Sequence, residues 1–411
     1  MKKALPEHVS MNQFKVIDNC LQVGQVAVDR LAERVGQTPF YAYDRQLMTD
    51  RVAALRAQFP EDIHLHYAIK SNPMPAVVQH LAGLTDGLDV ASLKELRVAL
   101  DTGTSPRNIS FAGPGKSDAE LKAAAAAGII INLESAGEME RLATICNQTG
   151  HRANVAVRVN PDFELKTSGM KMAGGPKPFG IDAEEVPAVL KRLGQLDLAF
   201  QGFHIFSGSQ NLRPDAIIEA QTNTFALALK LADHAPSPVQ WLNIGGGFGI
   251  PYFPGEQRLD LAPVADNLAT LLARHRADLP EAEIVVELGR YLVGEAGVYV
   301  CEVIDLKKSR GETYAVTNGG LHHHLAASGN FGQVIRKNYP VCIGNRVAGE
   351  QLAPVNVVGP LCTPLDILGD KYALPPVQIG DLIVVFQSGA YGYTASPHHF
   401  LSHPEPVEVL V

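Results

Sequence analysis

Residues 87–138 contain three units of one design: GLDVASLKEL (87–96), ISFAGPGKSDAE (109–120) and GIIINLESAGE (128–138). Each is a short apolar run followed by S-x-x-E, at Ser92 to Glu95, Ser117 to Glu120 and Ser135 to Glu138. The apolar run is a strand signal. S-x-x-E is the capping box, in which the serine accepts a free N–H of the first helical turn and the glutamate bonds back to the cap. One such match is weak; three in succession predict consecutive strand–helix units. Identity between the units is too low to make them sequence repeats.

Working outward, the same alternation places strands near 63–69 (IHLHYAI), 87–90, 109–112, 129–133, 154–159 (NVAVRV), 200–206 (FQGFHIF), 241–245 (WLNIG) and 283–288 (EIVVEL). Eight strands alternating with helices over roughly 250 residues is the size of a (β/α)8 barrel. From about 297 the pattern changes. GVYVCEVIDL, TYAVTN, PVNVVG and DLIVVFQSG are strands separated by turn residues, and FKVIDNCLQV, beginning at Phe14, is another before the barrel. The expected fold is α/β: a (β/α)8 TIM barrel over 35–288, with a β domain assembled from 1–34 and 289–411.

The 411 residues, 46% hydrophobic and 19% charged, suffice for a large core. Thirty-five Lys+Arg against 43 Asp+Glu give −8 without long single-sign blocks, which argues against a nucleic-acid surface or a polybasic membrane patch. MKKALPEHVSMNQ has no apolar core of a signal peptide, and the longest apolar stretch, ending at Ile131, is too short to span a bilayer. Cysteines at 20, 146, 301, 342 and 362 form no CxxC pair and are odd in number, so neither a disulfide framework nor a zinc module is expected. The expectation is a cytoplasmic enzyme.

Barrel enzymes carry their chemistry where the strands end. On the first strand His64, His66, Ala68 and Lys70 share one face, which puts an amine at the barrel mouth. Position alone leaves two readings open: a lysine snorkelling to the rim, or a Schiff-base lysine beside a carbonyl cofactor. The seventh strand ends in Gly245-Gly246-Gly247-Phe248-Gly249, either a tight turn or a phosphate cradle of converging N–H groups. Ile250 rules out G-x-G-x-x-G. The eighth strand ends in Glu287-Leu288-Gly289-Arg290, where the glutamate suits a base, a metal ligand, an anchor for a ring nitrogen, or a salt bridge to Arg290 or Arg158. His322-His323-His324 lacks a spaced carboxylate partner, so no metal is expected there.

Nine motifs in order, YAIKSNP, LDVASLKEL, SFAGPGK, the strand carrying Arg158, GFHIFSGSQ, NIGGGFGIPY, ELGR, GPLCTPLD and SGAYGY, resemble the fold-type III pyridoxal-phosphate decarboxylases, the family of diaminopimelate, ornithine and arginine decarboxylases with an alanine racemase-like fold. The stretch GGLHHHLAASGNFGQVIRKNYPV with CTPLD is similar to a subgroup that includes the butirosin-pathway decarboxylase of carrier-tethered glutamate and decarboxylases of exosortase systems. The resemblance implies pyridoxal 5'-phosphate as cofactor and α-decarboxylation of an amino acid or a derivative of one, free or carrier-tethered. An amino-acid racemase and a catalytically silent regulator are the alternatives. It also implies a homodimer with shared active sites.

Residue by residue, the resemblance makes Lys70 the Schiff-base lysine. Ser209, Gly246 and Gly247 would hold the cofactor phosphate, with Gly289, Arg290 and Tyr391 closing that site. Asp89, Arg158, His204 and Phe206 would surround the ring, and Glu287 would pair with its nitrogen. Cys362 would act from the neighbouring subunit, and Arg290, Cys362, Thr363, Asp366 and Tyr391 would meet the substrate. Two departures bear on substrate. Phe206 stands where the family commonly stacks a histidine, with His204 two residues earlier on the same face. Thr363 stands where meso-diaminopimelate enzymes place an acid for the distal amine, leaving Asp366 nearby. The connection NPDFELKTSGMKMAGGPKPFG (160–180), with Lys166, Lys171 and Lys177, is basic enough to meet an anion. An acidic side chain or a carrier-protein arm is therefore expected over lysine or diaminopimelate.

Overall fold

The computed structural model describes residues 6–163, 170–171, 174–349 and 351–411. The chain divides into two compact units. The first comprises 51–249 and 259–289; the second comprises the N-terminal residues to 50, together with 250–258 and 290–411.

The first unit is a closed parallel barrel. Its eight strands, in chain order, are Ile63–Ala68, Gly87–Val90, Ile109–Phe111, Ile130–Leu133, Asn154–Asn160, Ala199–His204, Trp241–Gly246 and Glu283–Leu288. Each pairs in parallel with the next, and the eighth returns to the first with Glu287 opposite His66. Every expected strand is present, most within a residue or two. Parity divides each strand. On the first, Ile63, Leu65 and Tyr67 are buried outward, while His66 points inward. Ile130, Ala156, Trp241 and Val285, one from each of four strands, pack as an apolar layer across the interior. One step along those strands toward their C-terminal ends stand Asn132, Arg158, Asn243 and Glu287, all buried. The barrel thus has an apolar floor beneath a polar layer.

The three capping motifs all start helices, but they close differently. Ser92, Ser117 and Ser135 each accept the predicted N–H, from Glu95, Glu120 and Glu138. Only Glu120 returns the bond to its own cap. Glu95 reaches one residue further, to the Ala91 N–H, and Glu138 does the same to the Glu134 N–H while also accepting Lys116. A capping serine is worth about 1 kcal/mol; the glutamates at 95 and 138 have been taken for other contacts.

The second unit is a mixed eight-stranded sheet with a small three-stranded sheet beside it. Its long strand, Gly297–Ser309, is buried in its first half, where Phe40–Tyr43 and Leu382–Val385 flank it. Its second half pairs with Glu312–Thr317 as an exposed hairpin. Phe14, Val28, Leu31, Phe40, Val298, Val384 and Phe386 form one core there. Among the described residues no helix is long and apolar enough to cross a membrane.

Candidate active site

Lys70 follows the first barrel strand in a single 3-10 turn, Ile69–Ser71. Its Nζ donates to Glu287 Oε1 at 3.3 Å. Glu287 is 5% exposed, on the neighbouring eighth strand. On its other oxygen, Asn243 Nδ2 donates at 3.4 Å and His204 Nε2 stands at 3.3 Å, off the line of a hydrogen bond. Burial alone would raise the Glu287 pKa; the Lys70 ammonium, His204 and Arg158 outweigh it and hold the carboxyl well below its ordinary range. This carboxylate stays ionised at any physiological pH. The salt bridges offered for Glu287 go elsewhere: Arg158 pairs with Glu134 at 2.8 Å and Arg290 with tyrosines.

The polar layer continues around the first four strands. His66 Nδ1 lies 3.3 Å from Asp89 Oδ1, the Ser110 hydroxyl donates to the same oxygen at 2.5 Å, and Asn132 donates to Ser110 at 3.2 Å. A Cβ at Gly87 would collide with the His66 ring, so that glycine makes room for it. Asp89 Oδ2, Asn132 Oδ1 and both His204 ring nitrogens are buried without hydrogen-bond partners among the described residues. A polar layer with unspent acceptors and donors suits a polar ligand.

The turn after the seventh strand is shaped for close approach. Gly245 and Gly247 take φ of +70° and +71°, and a Cβ at Gly246 or Gly247 would strike the backbone at Glu287 or Gly208. Asn243 Oδ1 accepts the Gly245 N–H at 2.8 Å. Ser209, half-buried, pairs through its backbone with Met170. Phe206 packs against Gly245, with its ring centre 5.7 Å from Lys70 Nζ and 6.5 Å from the His204 ring. At Gly289 a Cβ would crowd Ser71 at 3.0 Å.

Beside this layer lies a buried quartet of charges that sequence reasoning missed. Arg158 pairs with Glu134, whose carboxylate also accepts the N–H groups of Gly113 and Gly180 at 2.6 and 2.8 Å. Lys116 donates to Glu138 at 2.9 Å. The Arg158 guanidinium faces the Phe179 ring at 5.2 Å. Lys116 and Glu134 both lay within quoted motifs, but only their inward direction reveals the quartet. Lys166 and the Lys171 side chain lie outside the described residues; Lys177 is half-buried.

In the second unit, Arg290 Nη1 donates to the Tyr252 hydroxyl at 2.7 Å, and its guanidinium lies 4.7 Å from the Tyr391 ring centre. Burial works against its charge, but the surrounding Tyr252, Tyr391 and Tyr339 raise its pKa above the ordinary arginine value. Tyr391 itself sits at φ +54°, an uncommon conformation for a bulky residue. Cys362 is exposed. The Thr363 hydroxyl accepts the Leu365 N–H at 3.3 Å. Asp366, which the sequence offered to a distal amine, is buried and accepts two backbone N–H groups. His322, His323 and His324 are all buried; among the described residues no group of three or more metal-ligating side chains is arranged to hold a metal.

The family “Pyridoxal-dependent decarboxylase, pyridoxal binding domain” matches residues 45–294. The chain belongs to the pyridoxal-dependent decarboxylases. It is 36% identical over 396 residues to the L-glutamyl-[BtrI acyl-carrier protein] decarboxylase of Niallia circulans, covering 95% of this chain and 92% of that one. It is 29% identical to the 2-[(L-alanin-3-ylcarbamoyl)methyl]-2-hydroxybutanedioate decarboxylase of Staphylococcus aureus, covering 94% and 97%. A Helicobacter pylori diaminopimelate decarboxylase, solved with L-lysine, superimposes with a TM-score of 0.82 at 26% identity, over 93% of this chain and 94% of that one. This decarboxylase uses pyridoxal phosphate and is a carboxy-lyase acting on amino acids. The matches lend no support to the racemase or silent-regulator alternatives.

These residues fit that cofactor. A glycine turn that excludes every Cβ suits a phosphate, and an ionised carboxylate suits a pyridinium nitrogen. Asn243 is the site residue whose signal was available and missed: it stands two residues before the glycine turn with inward parity, in the quoted motif NIGGGFGIPY.

Proposed function

We propose that this decarboxylase removes the α-carboxylate of an amino acid whose far end is acyl-linked or acidic, a carrier-tethered glutamyl group being the first candidate. The observation that carries the reading is the turn GPLCTPLD (359–366). Its sole acid, Asp366, is buried with both oxygens on backbone N–H groups, and Thr363 caps the turn itself. A distal ammonium group therefore finds no carboxylate on this turn. Two of the relatives reported above, at 36% and 29% identity, support the reading, since each is named for an amino acid joined through an acyl group to something larger.

The roles proposed for the residues follow from their surroundings. Pyridoxal phosphate, when bound, supplies the electron sink for the pair left behind as CO2 departs. Lys70 would carry the cofactor, and Ser209, Gly246, Gly247 and Gly289 would hold its phosphate. Glu287 would keep a proton on the ring nitrogen. Asp89, Arg158, His204 and Phe206 would border the ring. Arg290, Tyr391, Cys362 and Thr363 are proposed for the substrate end, with Cys362 supplied by the second subunit of a cytoplasmic homodimer.

The test is a CO2-release comparison of kcat/KM for diaminopimelate, lysine, ornithine, glutamate and glutamyl-carrier protein. Preference for glutamate or its carrier-bound form is expected. A clear preference for a dibasic free amino acid would reject the reading.

A further inference from the structure

Asp366 is 2% exposed, and its two carboxylate oxygens are held by backbone N–H groups, with His403 acting on the charge from nearby. Oδ1 accepts the Leu321 N–H at 2.5 Å and Oδ2 the Leu361 N–H at 2.8 Å. These donors come from segments forty residues apart: Leu361 precedes Cys362 on the same turn, and Leu321 opens the strap that runs into His322. The turn is wound about the carboxylate by further bonds, from Gly359 N–H to the Asp366 carbonyl at 3.1 Å and from Asp366 N–H to the Thr363 carbonyl at 3.3 Å. Gly320 and Gly359 are close-packed on the two oxygens, and a Cβ at either would collide with them. Cys362 and Thr363 stand on the outside of this turn, exposed and half-buried respectively.

We infer that Asp366 is a positioning residue: its buried carboxylate clamps the 359–366 turn to the Gly320–Leu321 strap and so fixes where the Cys362 thiol is presented. A carboxylate does this where a neutral side chain cannot. It offers acceptors on both oxygens to two converging N–H donors, and charge-assisted bonds of this kind are about twice as strong as neutral ones. Burial pushes the Asp366 carboxyl pKa up, and the two N–H groups, with a smaller contribution from His403, oppose that shift. Glutamate would not substitute, because the glycine packing leaves no room for another methylene.

The functional consequence rests on Cys362 belonging to the site, and the experiment separates the two claims. Asp366→Asn keeps the shape but turns an amide N–H toward a backbone N–H. Hydrogen exchange of the Leu321 and Leu361 amides, followed by mass spectrometry on the full-length protein, reads the clamp directly, because the carboxylate holds both N–H groups. Loss of one charge-assisted bond shifts the population of displaced turn by about tenfold, and exchange at these amides is expected to rise accordingly. In the same variant kcat is expected to fall by about tenfold to a hundredfold with little change in KM, as for a displaced reacting group. Thr363→Val, which removes another anchor of the same turn, gives the exchange readout should Asp366→Asn fail to fold. Unchanged exchange in a folded variant overturns the positioning role. Faster exchange combined with full activity of Cys362→Ala upholds the clamp and removes Cys362 from the site.

Discussion

Asn243 and Glu287 are joined at 3.4 Å through the Asn243 carboxamide, whose other end accepts the Gly245 N–H at 2.8 Å. One fully buried side chain thus couples the carboxylate in the polar layer of the barrel to the glycine turn at its mouth. A shift in either propagates to the other. Asn243→Ala leaves a buried N–H and a carboxylate oxygen short of a partner, a loss of about 1–3 kcal/mol. The expected result is a roughly tenfold or greater weakening of pyridoxal phosphate binding, read by absorbance titration of the apoprotein. Unchanged affinity would mean that the turn holds its shape without the carboxamide.

Lys70 is the amine placed beside that carboxylate, and the cofactor-loaded protein should be yellow. Borohydride reduction followed by peptide mapping should mark Lys70 and no other lysine. Label on Lys116 would be surprising on physical grounds, since its amine is buried and already bonded to Glu138 and the Gly113 carbonyl.

The path from sequence to this site was uneven for identifiable reasons. Strand positions were legible because apolar runs such as NVAVRV are bounded by turn residues, and Lys70 and Glu287 stand out as charges at strand ends. The partners of those charges were not legible. That Glu138 adds Lys116 to its bond back to the Glu134 N–H depends on a helix and a loop meeting in space. Asp366 reads in sequence as a polar neighbour of Cys362; its commitment to Leu321 is visible only after folding closes 45 residues of chain. Phe40–Tyr43 is buried at every position, so it shows no alternation, and its partner strands begin at Gly297 and Val407.

Glu134 offers a stability test. Its carboxylate serves Arg158, Gly113 and Gly180 together. Glu134→Ala strands a buried guanidinium and should cost about 3–5 kcal/mol, measured as a fall in the urea midpoint. Glu140, whose bond to Arg192 is half exposed, provides the contrast: Glu140→Ala should leave that midpoint unmoved. Equal losses in both variants would refute the assignment of the quartet as a buried anchor.

The histidine strap predicts acid sensitivity. Burial lowers the pKa of His322, His323 and His324 to about 3, 4 and 3. The unfolded chain binds these protons near pH 6.5 and the folded chain does not, so stability falls as pH drops through the window from about 6.5 toward 4. Each histidine contributes at most about 1.4 kcal/mol per pH unit. Neither His322 ring nitrogen has a hydrogen-bond partner among the described residues, so His322→Leu forfeits no bond and should flatten the dependence. Urea midpoints at pH 7 and pH 5 for both proteins decide it; an unchanged slope in the variant would assign the acid sensitivity elsewhere.

The proposed sharing of active sites makes the sharpest prediction about assembly. Lys70→Ala and Cys362→Ala should each be inactive alone. If the two residues complete a site across a two-fold dimer, random exchange of equal amounts makes half the dimers hybrid, each with one intact site. Recovered activity should then approach about a quarter of that of the parent enzyme. Subunit exchange must be demonstrated independently, for instance by mass-tagged heterodimers. With exchange established, absence of recovery would place Lys70 and Cys362 in the service of one chain's own site, and the exposure of Cys362 on the isolated chain would then need a substrate rather than a second subunit to cover it.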